Sequence, residues 1–111
     1  MITPATIPMS AALDRDFDFE FEVTDNAGTP FDFTGYTAKM EVREAQSTAA
    51  PLVVEAVMTM EPGWLRGSIS KGAVTFTEPL DCWFDVAMTF AGKTYNWVQG
   101  PFTFSGVATD A

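Results

Sequence analysis

Apolar and acidic residues alternate one by one between Arg15 and Asp25, in the stretch RDFDFEFEVTD. Phe17, Phe19, Phe21 and Val23 fall on one side, and Asp16, Asp18, Glu20 and Glu22 on the other. A period of two predicts a half-buried strand. Asp25-Asn26-Ala27-Gly28 supplies a turn, because Asn and Gly tolerate positive φ. The same alternation returns from Tyr36 to Arg43, with Tyr36, Ala38, Met40 and Val42 opposite Thr37, Lys39, Glu41 and Arg43. Glu44 to Pro51 is small and polar and predicts a loop.

Further strands are predicted over Leu52–Met60, Trp64–Ser70, Ala73–Thr77 and Leu80–Phe90, separated by Glu61-Pro62-Gly63, Lys71-Gly72 and Glu78-Pro79. Ala91-Gly92-Lys93 predicts a hairpin, Thr94–Val98 a returning strand, Gln99-Gly100-Pro101 a bend and Phe102–Ser105 a last strand. No window holds three turns of helical periodicity. Short strands at intervals of ~8–12 residues with turn signals between them predict an all-β protein, an immunoglobulin-like antiparallel β-sandwich of roughly seven to eight strands. Residues 1–13, interrupted by Pro4 and Pro8, read as an extended arm or first edge strand. Residues 14–106 then form the sandwich and 107–111 a frayed tail.

Composition narrows the function classes. The 111 residues fit one domain, and 47% hydrophobic residues with ten Phe and three Trp suffice for a ring-filled core. The net charge of −9 leaves no basic surface for nucleic acid or anionic lipid, so neither partner is expected. The chain has no His and one Cys, Cys82, which removes His-activated nucleophiles and an internal disulfide. The first residues carry no basic n-region with an apolar core, and a reducing cytosol is the expected place of synthesis.

Candidate chemistry is sparse. Asp14, Asp16, Asp18, Glu20 and Glu22 form an acidic row, but alternate strand residues lie ~6.5–7 Å apart, too far for one Ca²⁺ shell. The row reads first as a solvated face and second as an electrostatic docking edge. No paired-carboxylate pocket, nucleophile elbow or phosphate loop is present. No catalytic residue, metal, cofactor or small-molecule substrate is expected. Trp83 lies opposite the Cys82/Phe84 face. If that face is the core, Trp83 is outside, either packed at the rim or serving as a protein–protein anchor. Cys82 reads as a small buried hydrophobe. Ile2, Ile7 and Met9 of the arm, Trp83 and the acids Asp16, Asp18, Glu20 and Glu22 are the interface candidates.

Two segments are more specific than composition. Residues 15–43 contain TDNAGTPFDFTGYT, and residues 80–104 end in a strand, an Ala-Gly turn and QGPFTF. Together they resemble the N-terminal domain of phage baseplate upper proteins. The matching positions are Thr24, Asp25, Gly28, Pro30, Asp32, Thr34, Gly35, Tyr36, Met40 and Arg43, then Phe84, Asp85, Val86, Gly92, Gln99, Gly100, Phe102 and Phe104. These are turn and core residues. Asp32 or Thr34 can satisfy local N–H groups, Gly35 can adopt positive φ, and Phe33 with Tyr36 can plug one end.

The resemblance implies a non-enzymatic structural protein of a tailed-bacteriophage virion, in the tail or baseplate. Its expected partners are copies of itself and other virion proteins, and its expected location is the virion, assembled in the host cytoplasm. A head decoration (cement) protein on the capsid lattice is the alternative of the same class. A host-surface glycan-binding module using Trp64, Trp83 or Trp97 is the alternative of another class.

Overall fold

The computed structural model describes residues 5–12, 15–47, 49–70, 73–74 and 79–105. They form an all-β protein of eight strands: β1 (Ala5–Thr6), β2 (Met9–Ala12), β3 (Phe17–Glu22), β4 (Thr37–Arg43), β5 (Leu52–Glu61), β6 (Trp64–Ile69), β7 (Leu80–Phe90) and β8 (Lys93–Ser105). Their hydrogen-bonded order is β1-β8-β7-β4-β5-β6-β3, with β2 also on β8. The β4-β7-β8 group and the β3-β6 pair lie at opposite ends of this order, with β5 between them.

Two features differ from the sequence expectation. First, β5 belongs to both halves. Val54 and Ala56 pair with Val42 and Met40 of β4, while Val57 to Glu61 pair with β6. The halves are therefore one curled, nearly barrel-like sheet and not two separate sheets, because one long strand turns the corner. Second, pairing is antiparallel except at the arm. Both β1 and β2 run parallel to β8, with Ala5 opposite Val98 and Met9 opposite Phe102. Strands at the two ends of the sequence need no tight hairpin between them, so a parallel pair costs no impossible connection.

The bend expected at Gln99-Gly100-Pro101 is also absent, and β8 runs unbroken through it. The constant offset between arm and β8 sets Pro8 opposite Pro101. Both missing N–H groups thus fall at one place in the ladder, where a proline is tolerated. Gly100 makes the close approach possible. A Cβ there would lie 2.2 Å from the Ile7 carbonyl oxygen. Gly100→Ala is expected to lift the arm off β8 at a cost of about 1–3 kcal/mol. Hydrogen exchange checks this: the Ile7 amide, which donates to the Gln99 carbonyl at 2.9 Å, should lose its protection.

The core is the inner face of this curl. Met40, Val42, Leu65, Phe84, Val86, Met88, Phe102 and Phe104 are essentially fully buried. Cys82 is buried with them, and the alternation across β7 is as read from sequence. Phe17 of β3 meets Phe102 of β8 edge to face, 5.7 Å between centroids, and this contact closes one half over the other. Phe17, Phe19 and Phe21 pack on the core but stay half-buried. The strand expected at Ala73–Thr77 lies mostly outside the described residues, and Ala73 and Val74 are not in a strand.

Candidate functional site: an aromatic end and an open seam

The segment after β3 builds one end of the molecule. Asp25 Oδ1 accepts from the N–H groups of Ala27 (2.9 Å) and Thr29 (3.0 Å), and Gly28 takes φ 81°. The loop is tied to the β5–β6 turn: Val23 N–H donates to the Gly63 carbonyl and Gly63 N–H donates to that of Phe31, both at 2.9 Å. A second corner follows. Asp32 Oδ1 accepts from Thr34 Oγ1 at 2.7 Å and from Thr34 N–H at 3.0 Å. These two bonds hold the Asp32 carboxyl below its ordinary range. Gly35 has φ 84°, and a Cβ there would stand 2.9 Å from the Phe90 ring. The two corners thus satisfy their own backbone groups and deliver Phe31, Phe33 and Tyr36 to fixed places.

Those rings meet the β7–β8 hairpin. Trp97 packs edge-on against Phe31 (5.3 Å) and Tyr36 (5.6 Å), and Tyr36 stacks on Phe90 at 4.5 Å. A register shift opposite Val86/Ala87 adds a residue to β8 and turns Trp97 inward beside Val98. Phe33 is buried under the group, whereas Phe90 and Tyr95 remain 46% and 44% exposed. Tyr36, Phe90, Tyr95 and Trp97 border a hollow of about 270 Å³ at this end. Sequence reasoning anticipated Phe33 and Tyr36 as an end plug but missed Phe90 and Tyr95. Their signal was position: they flank Ala91-Gly92, where a strand's inner face runs out of core to cover it.

The interface candidates from sequence separate into two places. Ile7 and Met9 join Phe19, Phe21, Trp97 and Val98 along an apolar groove of about 600 Å³ between the arm and β3. Glu20 and Glu22 stand on its rim. Asp16, Asp18, Glu20 and Glu22 are all exposed, and Glu20 pairs with Arg66 at 3.4 Å. Arg66 also pairs with Glu61. Among the described residues no group of three or more acids, Cys or His lies close enough to hold a metal ion. Ile2 lies outside the described residues. Trp83 is on the outer face, as its place opposite Cys82 requires, yet it is half-buried beside Ala45, Gln46 and Ser47 of the loop after β4. A half-buried place on the outer face is compatible with both readings of Trp83, packed at the rim or serving as a protein–protein anchor.

Two further groups define the electrostatics. Burial, with Glu44 and Asp81 nearby, pushes the Cys82 thiol up to about 11, so it stays protonated and unreactive at neutral pH. Burial raises the Asp85 carboxyl above its ordinary value, Glu41 across the ladder raises it further, and Arg43 opposes both. A carboxyl raised in the fold disfavours folding when ionised. The penalty is full at neutral pH and vanishes as pH falls through the raised value to the ordinary one near 3.8. Asp85→Asn is therefore expected to stabilise the protein at pH 7 by up to about 1 kcal/mol, since the site is partly solvated. Urea titrations at pH 7 and pH 3.5 check the sign, with the gain disappearing at the lower pH.

The chain matches no protein-family model and no curated protein sequence.

Proposed function

We propose that this protein is a non-enzymatic structural component of a tailed-bacteriophage virion, assembling through protein–protein contacts in the tail or baseplate. The observation that carries the reading is the aromatic end. The residues that resemble the baseplate upper protein domain, Asp25 to Tyr36, are those that fold into the corner supporting Phe90 and Tyr95. A motif built for turn chemistry thus leads to a cluster of large rings of which Phe90 and Tyr95 are exposed. Exposed rings grouped in this way are costly in water and typical of contact hot spots. Copies of the chain and other virion proteins are the partners. Each contact is weak alone and strong when repeated around a ring or lattice. The net charge of −9 keeps such a component from sticking to DNA non-specifically.

Mass-spectrometric quantification of purified particles tests the reading. About six or twelve copies, the number set by tail symmetry, is the expected result. A copy number near that of the major capsid protein would move the protein to the head as a decoration protein. Its absence from particles would overturn the virion reading altogether.

A further inference from the structure

β3 is the last strand in the sheet order, and among the described residues only β6 pairs with it. The register that sets Glu22 opposite Trp64 continues to Val23, whose N–H donates to the Gly63 carbonyl at 2.9 Å. In an antiparallel ladder, pairs that exchange hydrogen bonds alternate with pairs that do not. Phe17, Phe19 and Phe21 therefore bond β6. The backbone N–H and C=O groups of Asp18, Glu20 and Glu22 point the other way, along an edge open to a further strand.

The two faces of this edge differ in chemistry. On the inner side is the apolar groove of about 600 Å³, lined by Phe19 and Phe21 from β3, Ile7 and Met9 from the arm, and Leu65 and Val98 from β6 and β8. Phe19 and Phe21 are only half-buried, so apolar surface there is still open to cover. On the outer side Asp18, Glu20 and Glu22 are exposed. Glu20 meets Arg66 at 3.4 Å, whereas Asp18 and Glu22 have no ion-pair partner among the described residues.

We infer that the open edge of β3 accepts, as an added strand, an extended segment of another protein in which Lys or Arg alternates with aliphatic residues. Such a segment would match the six residues of β3 in length. Strand side chains alternate between faces, so its aliphatic residues enter the groove beside Phe19 and Phe21. Its basic residues then stand beside Asp18, Glu20 and Glu22 at the cross-strand spacing of ~4.5–5.5 Å. A second copy of this chain does not fit. Antiparallel pairing of β3 with its own equivalent, centred on Glu20, sets Glu20 against Glu20 and Asp18 against Glu22, and like charges directly opposite destabilise a pair. Each copy also carries a net charge of −9. The acids thus close the edge to the chain itself and leave it open to a basic strand. The inference goes beyond the assembly reading, because this surface shares only Trp97 with the hollow at the aromatic end.

NMR titration of the full chain with the peptide acetyl-Lys-Val-Lys-Val-Lys-Val-Lys-amide tests it. The backbone amides of Asp18, Glu20 and Glu22 should shift saturably and exchange more slowly with solvent. A peptide of the same residues grouped in blocks keeps the charge and loses the alternation, and it should bind about ten-fold more weakly. The double variant Asp18→Lys/Glu22→Lys, at two exposed positions that leave the core intact, should weaken the Lys-Val peptide about ten-fold and accept the corresponding Glu-Val peptide, which the wild type rejects. No saturable shift with the Lys-Val peptide would overturn the proposal. Equal binding of the block peptide would overturn it too, as mere attraction of a cation to an acidic protein. So would affinity for the Lys-Val peptide that is undiminished in the double variant.

Discussion

Phe102→Ala is expected to cost about 3–5 kcal/mol of unfolding free energy, the usual range for deleting a buried Phe ring. Phe102 has no exposed surface. Its ring meets Phe84 edge-on at 6.1 Å and Phe104 at 4.8 Å, both within its own half. It also meets Phe17 from the opposite half at 5.7 Å. On the flank its backbone is opposite Met9 of the arm. Truncation therefore leaves a cavity where three parts of the molecule close on one another, although Phe19, Phe21 and Leu65 still pack across the halves. Since a domain of this size holds roughly 5–15 kcal/mol in all, the variant sits near the unfolding threshold. Urea denaturation followed by tryptophan fluorescence measures the shift in midpoint. A loss below about 1 kcal/mol would mean that the halves do not close over this ring.

The second large effect is on assembly and not on folding. Phe90→Ser combined with Tyr95→Ser removes the two most exposed rings of the aromatic end. Because nearly half of each is already in water, stability should fall by only about 1–2 kcal/mol. If these rings anchor a neighbouring virion protein, losing about 2 kcal/mol of contact lowers incorporation about 30-fold. Competition between wild type and variant during particle assembly, read by mass spectrometry, gives the ratio. Equal incorporation of a folded double variant would show that the end makes no contact.

Much of the fold was legible because alternation is a local signal. The inner face of β7, Cys82-Phe84-Val86-Met88, and that of β3, Phe17-Phe19-Phe21, stand where a period of two puts them. Turn chemistry was equally local: Asp25, Gly28, Asp32 and Gly35 do what their residue types do best. What could not be read was pairing at a distance. Nothing in Leu52 to Glu61 says that its two ends serve different neighbours. Gly100-Pro101 looks like a break until Pro8 is placed opposite it, and that placement depends on the arm choosing β8. The added residue that turns Trp97 inward likewise arises from register against β7.

The candidate site was half legible for the same reason. Ile7, Met9, Glu20 and Glu22 were singled out separately, and the curl of the sheet brings them to one groove. Trp83 was assigned to the correct face, but its neighbours Asn96 and Gln99 come from another strand and Ser47 from a loop. Phe90 and Tyr95 carry the right residue type, yet alternation alone assigns them to a core that ends before it reaches them.

A cryo-EM map of the particle that contains this protein tests the central claim most directly. The account predicts copies arranged with tail symmetry, each with Tyr36, Phe90 and Tyr95 buried against a neighbouring protein. Copies whose aromatic end faces solvent, or particles that lack the protein, would contradict it.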